Sequence, residues 1–323
     1  MNAHAAHNDP RAPHPIVGLA MDSAFAADLL DPRTPGTATE FGRGVDAAGI
    51  DFLLIGRDRL VAEGSDESTL DPTVAATVLA RHTRRTGLVV TAAPGRDHPY
   101  NVARRLASLD HGSRGRVGWL VGTADDAVPH SAAVWTGADP LEAAVDAVAV
   151  ARSLWRSWPA DSIVDDRQRG VFARSDRIAY IDHDGAYRVS GPLNVVEPPQ
   201  SQLPVFWAPR GERELQAARR VADVVVVRDE DAAGRYRAAA PDPVREQALL
   251  VDVQWETGIG DRRTLTSSDG VLVHGATSDT WPDVLASIAR PAAEGPGVTL
   301  RDLVGLPSPD LASPGVRFAF SVS

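Results

Sequence analysis

The sequence predicts an α/β protein built as one (β/α)8 barrel of the TIM type. Three observations carry this. Apolar runs of strand length alternate with stretches that bear helix-start signals, eight such runs can be counted, and 323 residues suit a single large α/β barrel. Strictly alternating order implies parallel strands, because each helix returns the chain to the same end of the sheet.

In chain order, IVGLAM (16–21) is the first strand, and a helix over 38–48 follows, opened by Thr37 and Glu40 at capping-box spacing. DFLLIG (51–56) is the second strand, and Asp71 with Pro72 opens a helix to about Thr83. TGLVVTAA (86–93) is the third strand, 99–110 a helix and RVGWLVGT (116–123) the fourth strand. Asp139, Pro140 and Glu142 start the longest helix, which reaches Trp158 and buries Val145, Val148, Ala149, Leu154 and Trp155 on a broad face. Residues 160–202 interrupt the rhythm, and an Asp-Gly turn between alternating segments predicts a hairpin-like insertion. The barrel resumes with LPVFWAP (203–209), a helix over 211–222, VADVVVVRD (221–229), a helix near 230–240, ALLVDVQW (248–255) and DGVLVHG (269–275). Only ETGIGDRRTLTSS separates the last two strands, too short for a crossover helix, so the seventh βα unit is read as truncated. A last helix over 280–290 starts at Thr280 with Pro282 and Asp283 in its first turn.

Composition narrows the function classes. With 43% hydrophobic and 24% charged residues the chain reads as soluble, and no apolar run nears the roughly 18 residues of a membrane span. A net charge of −10 with scattered basic residues excludes a nucleic-acid partner, which needs a concentrated Lys/Arg face. The absence of cysteine removes disulfides, thiolate metal sites and cysteine nucleophiles. The first 15 residues lack periodicity and the apolar core of a signal peptide, so they are expected to be a mobile, disordered tail on a single domain over 16–323, and the location to be cytoplasmic. His4, His7 and His14 in that tail could bind a stray metal ion, but no metal site is expected. No Gly-x-Ser-x-Gly elbow, Walker-type phosphate loop or His-Glu-x-x-His helix occurs.

The segment HPYNVARRLASLDHGSRGRVGW (98–119) resembles the helix-turn-strand signature of the bacterial-luciferase-like flavin-dependent monooxygenases, in the branch of the nitrilotriacetate and dibenzothiophene-sulfone monooxygenases. Further similar pieces follow in order at 141–158, 183–195, 203–227 and 299–309, so the resemblance spans about residues 16 to 310, with loops shortened. It implies a flavin-dependent oxidoreductase, a two-component monooxygenase in which a separate reductase delivers reduced FMN and O₂ is used on a small organic substrate in a water-poor pocket. A homodimer is the usual assembly of such relatives. A paralogue without catalysis that serves as a binding or accessory subunit, and an enzyme of the deazaflavin F420, are the alternatives.

Within the signature itself, Asp110 and His111 read either as helix-end caps or as catalytic groups. Barrel ligands lie at the carboxyl ends of the strands, and there the chain departs from the pattern the resemblance implies. After the second strand Asp58 stands one place late behind Gly56 and Arg57; the third ends Thr91-Ala92-Ala93-Pro94; the fourth ends at Thr123 without the family's Asn. The small phosphate loop is replaced by Ala208-Pro209-Arg210-Gly211, where Arg210 and Gly211 at a helix start still suit a phosphate. Asp58, Thr91, Tyr100, Thr123, Arg210 and Gly211 are therefore the candidate cofactor residues, Tyr100 reading equally as a packing anchor. His274, His130 and Asp22 end strands or lie in loops on this face and are the candidate acid–base groups, each also readable as a hydrogen-bonded loop residue.

Overall fold

The computed structural model describes residues 14–56, 59–60, 70–125, 137–239, 247–255, 265–291 and 297–309. All eight expected strands form: β1 (Ile16–Met21), β2 (Phe52–Ile55), β3 (Gly87–Ala92), β4 (Val117–Val121), β5 (Val205–Trp207), β6 (Val224–Val227), β7 (Ala248–Gln254) and β8 (Gly270–His274). Each pairs in parallel with its sequence neighbours, and β1 pairs with β8, which closes the barrel. Strand faces alternate, so the apolar runs split into two cores. Leu53, Leu88, Val90, Trp119 and Trp207 point outward against helices, whereas Phe52, Val89, Leu120, Phe206, Val224, Leu250 and Leu272 fill the interior. The Phe52 and Phe206 rings meet there at a tilt of 58°, with centroids 5.2 Å apart.

The helices are α1 (Ser23–Leu29), α2 (Thr37–Ala47), α3 (Pro72–His82), α4 (Pro99–Ser113), α5 (Pro140–Trp155), α6 (Glu212–Val221), α7 (Glu230–Ala238), α8 (Trp281–Ile288) and α9 (Leu300–Leu303). Starts with a short polar residue before proline hold: Asp71 accepts from the backbone N–H groups of Thr73 and Val74, and Asp139 from those of Leu141 and Glu142. The expected capping box at Thr37 does not form. Gly36, at φ 109°, is the N-cap of α2, and the Thr37 hydroxyl donates backward to the Thr34 carbonyl. Helix α5 stops at Trp155, three residues early, where Trp155 Nε1 donates to the Ala103 carbonyl at 3.0 Å. Helices α1 and α9 were not anticipated; both are short, and neither has enough residues to show periodicity.

The insertion carries two small antiparallel pairs, Ile163–Asp166 with Val171–Ala173 and His183–Asp184 with Arg188–Val189, the second around the anticipated Asp-Gly turn. In the seventh unit no helix occurs among the described residues between β7 and β8. Residues 266–268 instead lie along α7, held by Glu230, which accepts from Thr266 N, Ser267 N and the Ser268 hydroxyl, and by Arg237, which donates to the Ser267 carbonyl. Beneath the barrel α9 acts as a plug: Leu300 lies so close under Gly87 and Gly118 that a Cβ on either would overlap it. Most of the expected tail, with His4 and His7, falls outside the described residues, but His14 and Pro15 are held by Arg290, which donates to the Pro15 carbonyl at 2.8 Å. No helix of the described residues is long and apolar enough to cross a membrane.

Candidate active site

Continuing each inward face to the carboxyl end of its strand gives the rim of the barrel mouth. It is built of Ala20, Leu54, Thr91, Leu120, Ala208 and Val226, with Asp252 and His274 on the adjacent strands β7 and β8. Most of the rim is apolar, so its polar atoms stand out. Thr91 is 3% exposed, and its Oγ1 has no hydrogen-bond partner. A buried hydroxyl without a partner costs about 1–3 kcal/mol, which a bound ligand able to hydrogen-bond would offset. His274 Nε2 lies 3.1 Å from Asp252 Oδ1, with side chains 34% and 40% exposed.

The other sequence candidates divide. Asp22 caps α1, its Oδ1 accepting from Phe25 N at 2.9 Å, so this carboxylate is committed to the helix start. Tyr100 is half-buried and its hydroxyl reaches the Pro192 carbonyl at 3.4 Å, tying α4 to the insertion. Thr123 approaches Glu214 Oε1 at 3.4 Å, and Glu214 Oε2 accepts from Arg210 N at 3.0 Å. Helix α6 therefore begins at an open Gly211 without a side-chain cap, but with Glu212 and Glu214 in its first turn. Any phosphate meeting Arg210 and Gly211 has to displace the Glu214 carboxylate. Asp58 and His130 lie outside the described residues.

Two groups were missed in the sequence. Asp252 was legible, since a carboxylate at an inward position interrupts the apolar run of β7. Tyr187 was not legible. It comes from the insertion, donates to the Pro94 carbonyl at 3.2 Å just past β3, and meets the His98 ring edge-on at 5.6 Å. Burial pushes its hydroxyl up to about 12, so it stays protonated and packs as a neutral group in the core beside the end of β3. Asp146 on α5 fixes this flap by accepting from Tyr187 N and pairing with His183 Nε2 at 2.8 Å.

The middle of the long signature, from Asp110 to Val117, lies at the opposite end of the barrel and is architectural there. Asp110 accepts from Val117 N, Gln200 Nε2 and Gln200 N, joining the end of α4 to the start of β4 and to the loop before β5. Arg116, 5% exposed, donates to Ser113 O, Thr83 Oγ1, Thr86 O, Ala80 O and Thr83 O, thereby gathering the ends of α3 and α4. His111 reaches only the Val196 carbonyl, at 3.1 Å. The helix-end reading of Asp110 and His111 is the one this geometry favours.

The profile of the family described as luciferase-like monooxygenase matches residues 17–249. The B chain of the pristinamycin IIA synthase of Streptomyces pristinaespiralis is 32% identical over 300 residues, covering 90% of this chain and 97% of that protein. Nitrilotriacetate monooxygenase component A of Aminobacter aminovorans is 33% identical over 181 residues, covering 52% of this chain and 38% of that protein. Among several monooxygenase relatives, the chain spans from 35% to 51% of their lengths. In structure, riboflavin lyase with modified FMN and substrate riboflavin superposes with a TM-score of 0.62 at 26% identity, covering 75% of this chain and 62% of that one. The EDTA monooxygenase from Chelativorans sp. BNC1 gives 0.69 at 17% identity over 93% of this chain and 100% of that one, a likeness of fold.

Proposed function

The chain belongs to the luciferase-like monooxygenase family, and from that premise we propose that it is a flavin-dependent monooxygenase that takes reduced FMN from a separate reductase and acts on a small organic substrate. The unpartnered Thr91 hydroxyl, buried in an otherwise apolar mouth, is the observation that carries this reading. The residues fit the ring end of a flavin: Leu54, Leu120, Ala208 and Val226 supply apolar walls, and Thr91 supplies one polar anchor. Once bound, reduced flavin would supply O₂ activation, which side chains do not provide. The protein's share is to hold the ring, exclude water behind the Tyr187 flap and move protons. For the last task we assign His274 as the acid–base group and Asp252 as its positioning residue. A proton on Nε2 directed at Asp252 leaves Nδ1 as the acceptor.

At the phosphate end, Arg210 and the uncapped start of α6 favour an anion and Glu214 opposes it. Two of the relatives are named as one component of a monooxygenase and one chain of a synthase, in keeping with a protein that works beside other polypeptides. A homodimer belongs to the same proposal, supported by Val74 and Val78, exposed one turn apart on α3, with Leu70 just before the helix.

The test is anaerobic titration of the purified chain with oxidised FMN, reduced FMN and F420, followed by fluorescence. Micromolar binding of reduced FMN is expected. Arg210→Ala should weaken it by about 1 kcal/mol or more and Glu214→Gln should tighten it, because one removes a phosphate partner and the other a competitor. Absence of binding by any flavin would end the proposal.

A further inference from the structure

At the opposite end of the barrel from the mouth lies a cavity of about 580 Å³, between the ends of α3 and α4, the 46–51 turn and the chain before α9. Five arginines line it: Arg81, Arg84, Arg85, Arg114 and Arg116. Two acids line it as well, and both are already committed to the fold. Asp46 accepts from the N–H groups of Arg84, Arg85 and Thr86 and from the Thr86 hydroxyl, at 2.7–3.1 Å. Asp51 is 2% exposed and is bound by Arg290 and by Val17 N.

Direct ion pairs are fewer on the cationic side. Among the described residues no carboxylate ion-pairs with Arg81, Arg84, Arg114 or Arg116. Arg116 forms the floor with its donors spent on neutral carbonyls and one hydroxyl, so its charge is buried without a contacting counter-charge. Those same bonds occupy carbonyls at the end of α3 that would otherwise repel an anion. Arg81, Arg84 and Arg114 are exposed around it. Asp46 and Asp110 offset part of the Arg116 charge, which leaves Arg81, Arg84 and Arg114 as the donors around the cavity, and planar guanidinium forks match phosphate oxygens two at a time.

We propose that this cavity is a binding site for a small polyphosphate-bearing ligand, separate from the barrel mouth. Its volume falls in the range of small-ligand sites. The pattern differs from a flat solvated patch, because one arginine is buried and structurally fixed while its neighbours line the same cavity.

The test is calorimetric titration of the full chain with inorganic pyrophosphate, then with inorganic phosphate and with ADP. Saturable submillimolar pyrophosphate binding that weakens with added salt is expected, with phosphate weaker. ADP binding tighter than pyrophosphate identifies a nucleotide as the source of the phosphates, and equal binding identifies a free polyphosphate. The double substitution Arg81→Gln with Arg84→Gln changes exposed side chains only and should lower the affinity at least about tenfold at an unchanged melting temperature. Lack of saturable binding, or equal affinity in the double variant, overturns the proposal. Neither result depends on flavin binding at the mouth.

Discussion

Thr91 sits where a threonine hydroxyl serves no folding purpose. It is buried at the end of β3, faces the barrel mouth and bonds to nothing. Thr91→Val should therefore leave the unfolding free energy unchanged or raise it by up to about 1 kcal/mol, since valine fills nearly the same space without an unsatisfied polar atom. The same change should weaken FMN by about fivefold, measured by fluorescence titration, through loss of one hydrogen bond. If valine costs stability and leaves flavin binding alone, the hydroxyl belongs to the fold. His274 and Asp252 call for a different readout. In Asp252→Asn the amide donates toward His274 Nε2 and favours the tautomer protonated at Nδ1, which is no longer a base. Both Asp252→Asn and His274→Gln should lower kcat about a hundredfold or more with little effect on the flavin Kd. Steady-state turnover of an accepted substrate across pH separates this from a packing role, which would leave the pH profile in place.

Helix α4 shows how one element divides its work between the two ends of the barrel. Its start, His98 to Tyr100, faces the insertion and the mouth, while its end carries Asp110, buried beneath β4. Desolvation raises the Asp110 carboxyl from 3.8 to about 6, against three hydrogen bonds that lower it. A folded-state value above the unfolded one means that the native state holds the proton more tightly. The stability this group contributes is then complete below about 4 and is lost as pH rises through about 6. Asp110→Asn keeps an oxygen for Val117 N and Gln200 Nε2 and removes the titration. Urea denaturation at several pH values between 4 and 6 should show a stability slope flatter in the variant than in the parent chain. An identical slope would assign the pH dependence to other groups. Length likewise decided how well elements were foreseen: α5, with 16 residues and an Asp-Pro start, was legible, whereas α1 with seven and α9 with four were not.

For the molecule as a whole, closure comes from two directions, the β1–β8 pairing around the wall and the α9 plug below. Leu300 is fully buried under the interior layer, so Leu300→Ala should cost about 2–5 kcal/mol of unfolding free energy, measured by denaturation, with the spread set by how far the barrel floor collapses. A cost under about 1 kcal/mol would make α9 peripheral. The sequence by itself determined the strand count, the parallel order, the excursion over 160–202 and the shortened seventh unit. These follow from local signals, namely apolar run length, Asp-Pro and Asp-Gly punctuation, and the number of residues between runs. It also marked the carboxyl ends of the strands as the candidate site and put Thr91 and His274 there. Only the tertiary structure decided which side chains meet. The Asp252–His274 pairing depends on strand register, the Glu214 carboxylate reaches Thr123 across 91 positions, and the Tyr187 flap reaches Pro94 across 93. It also separated the two ends of the longest motif, 98–119, and set Asp110 in the scaffold, because a helix that starts at the mouth of a barrel must end at its floor.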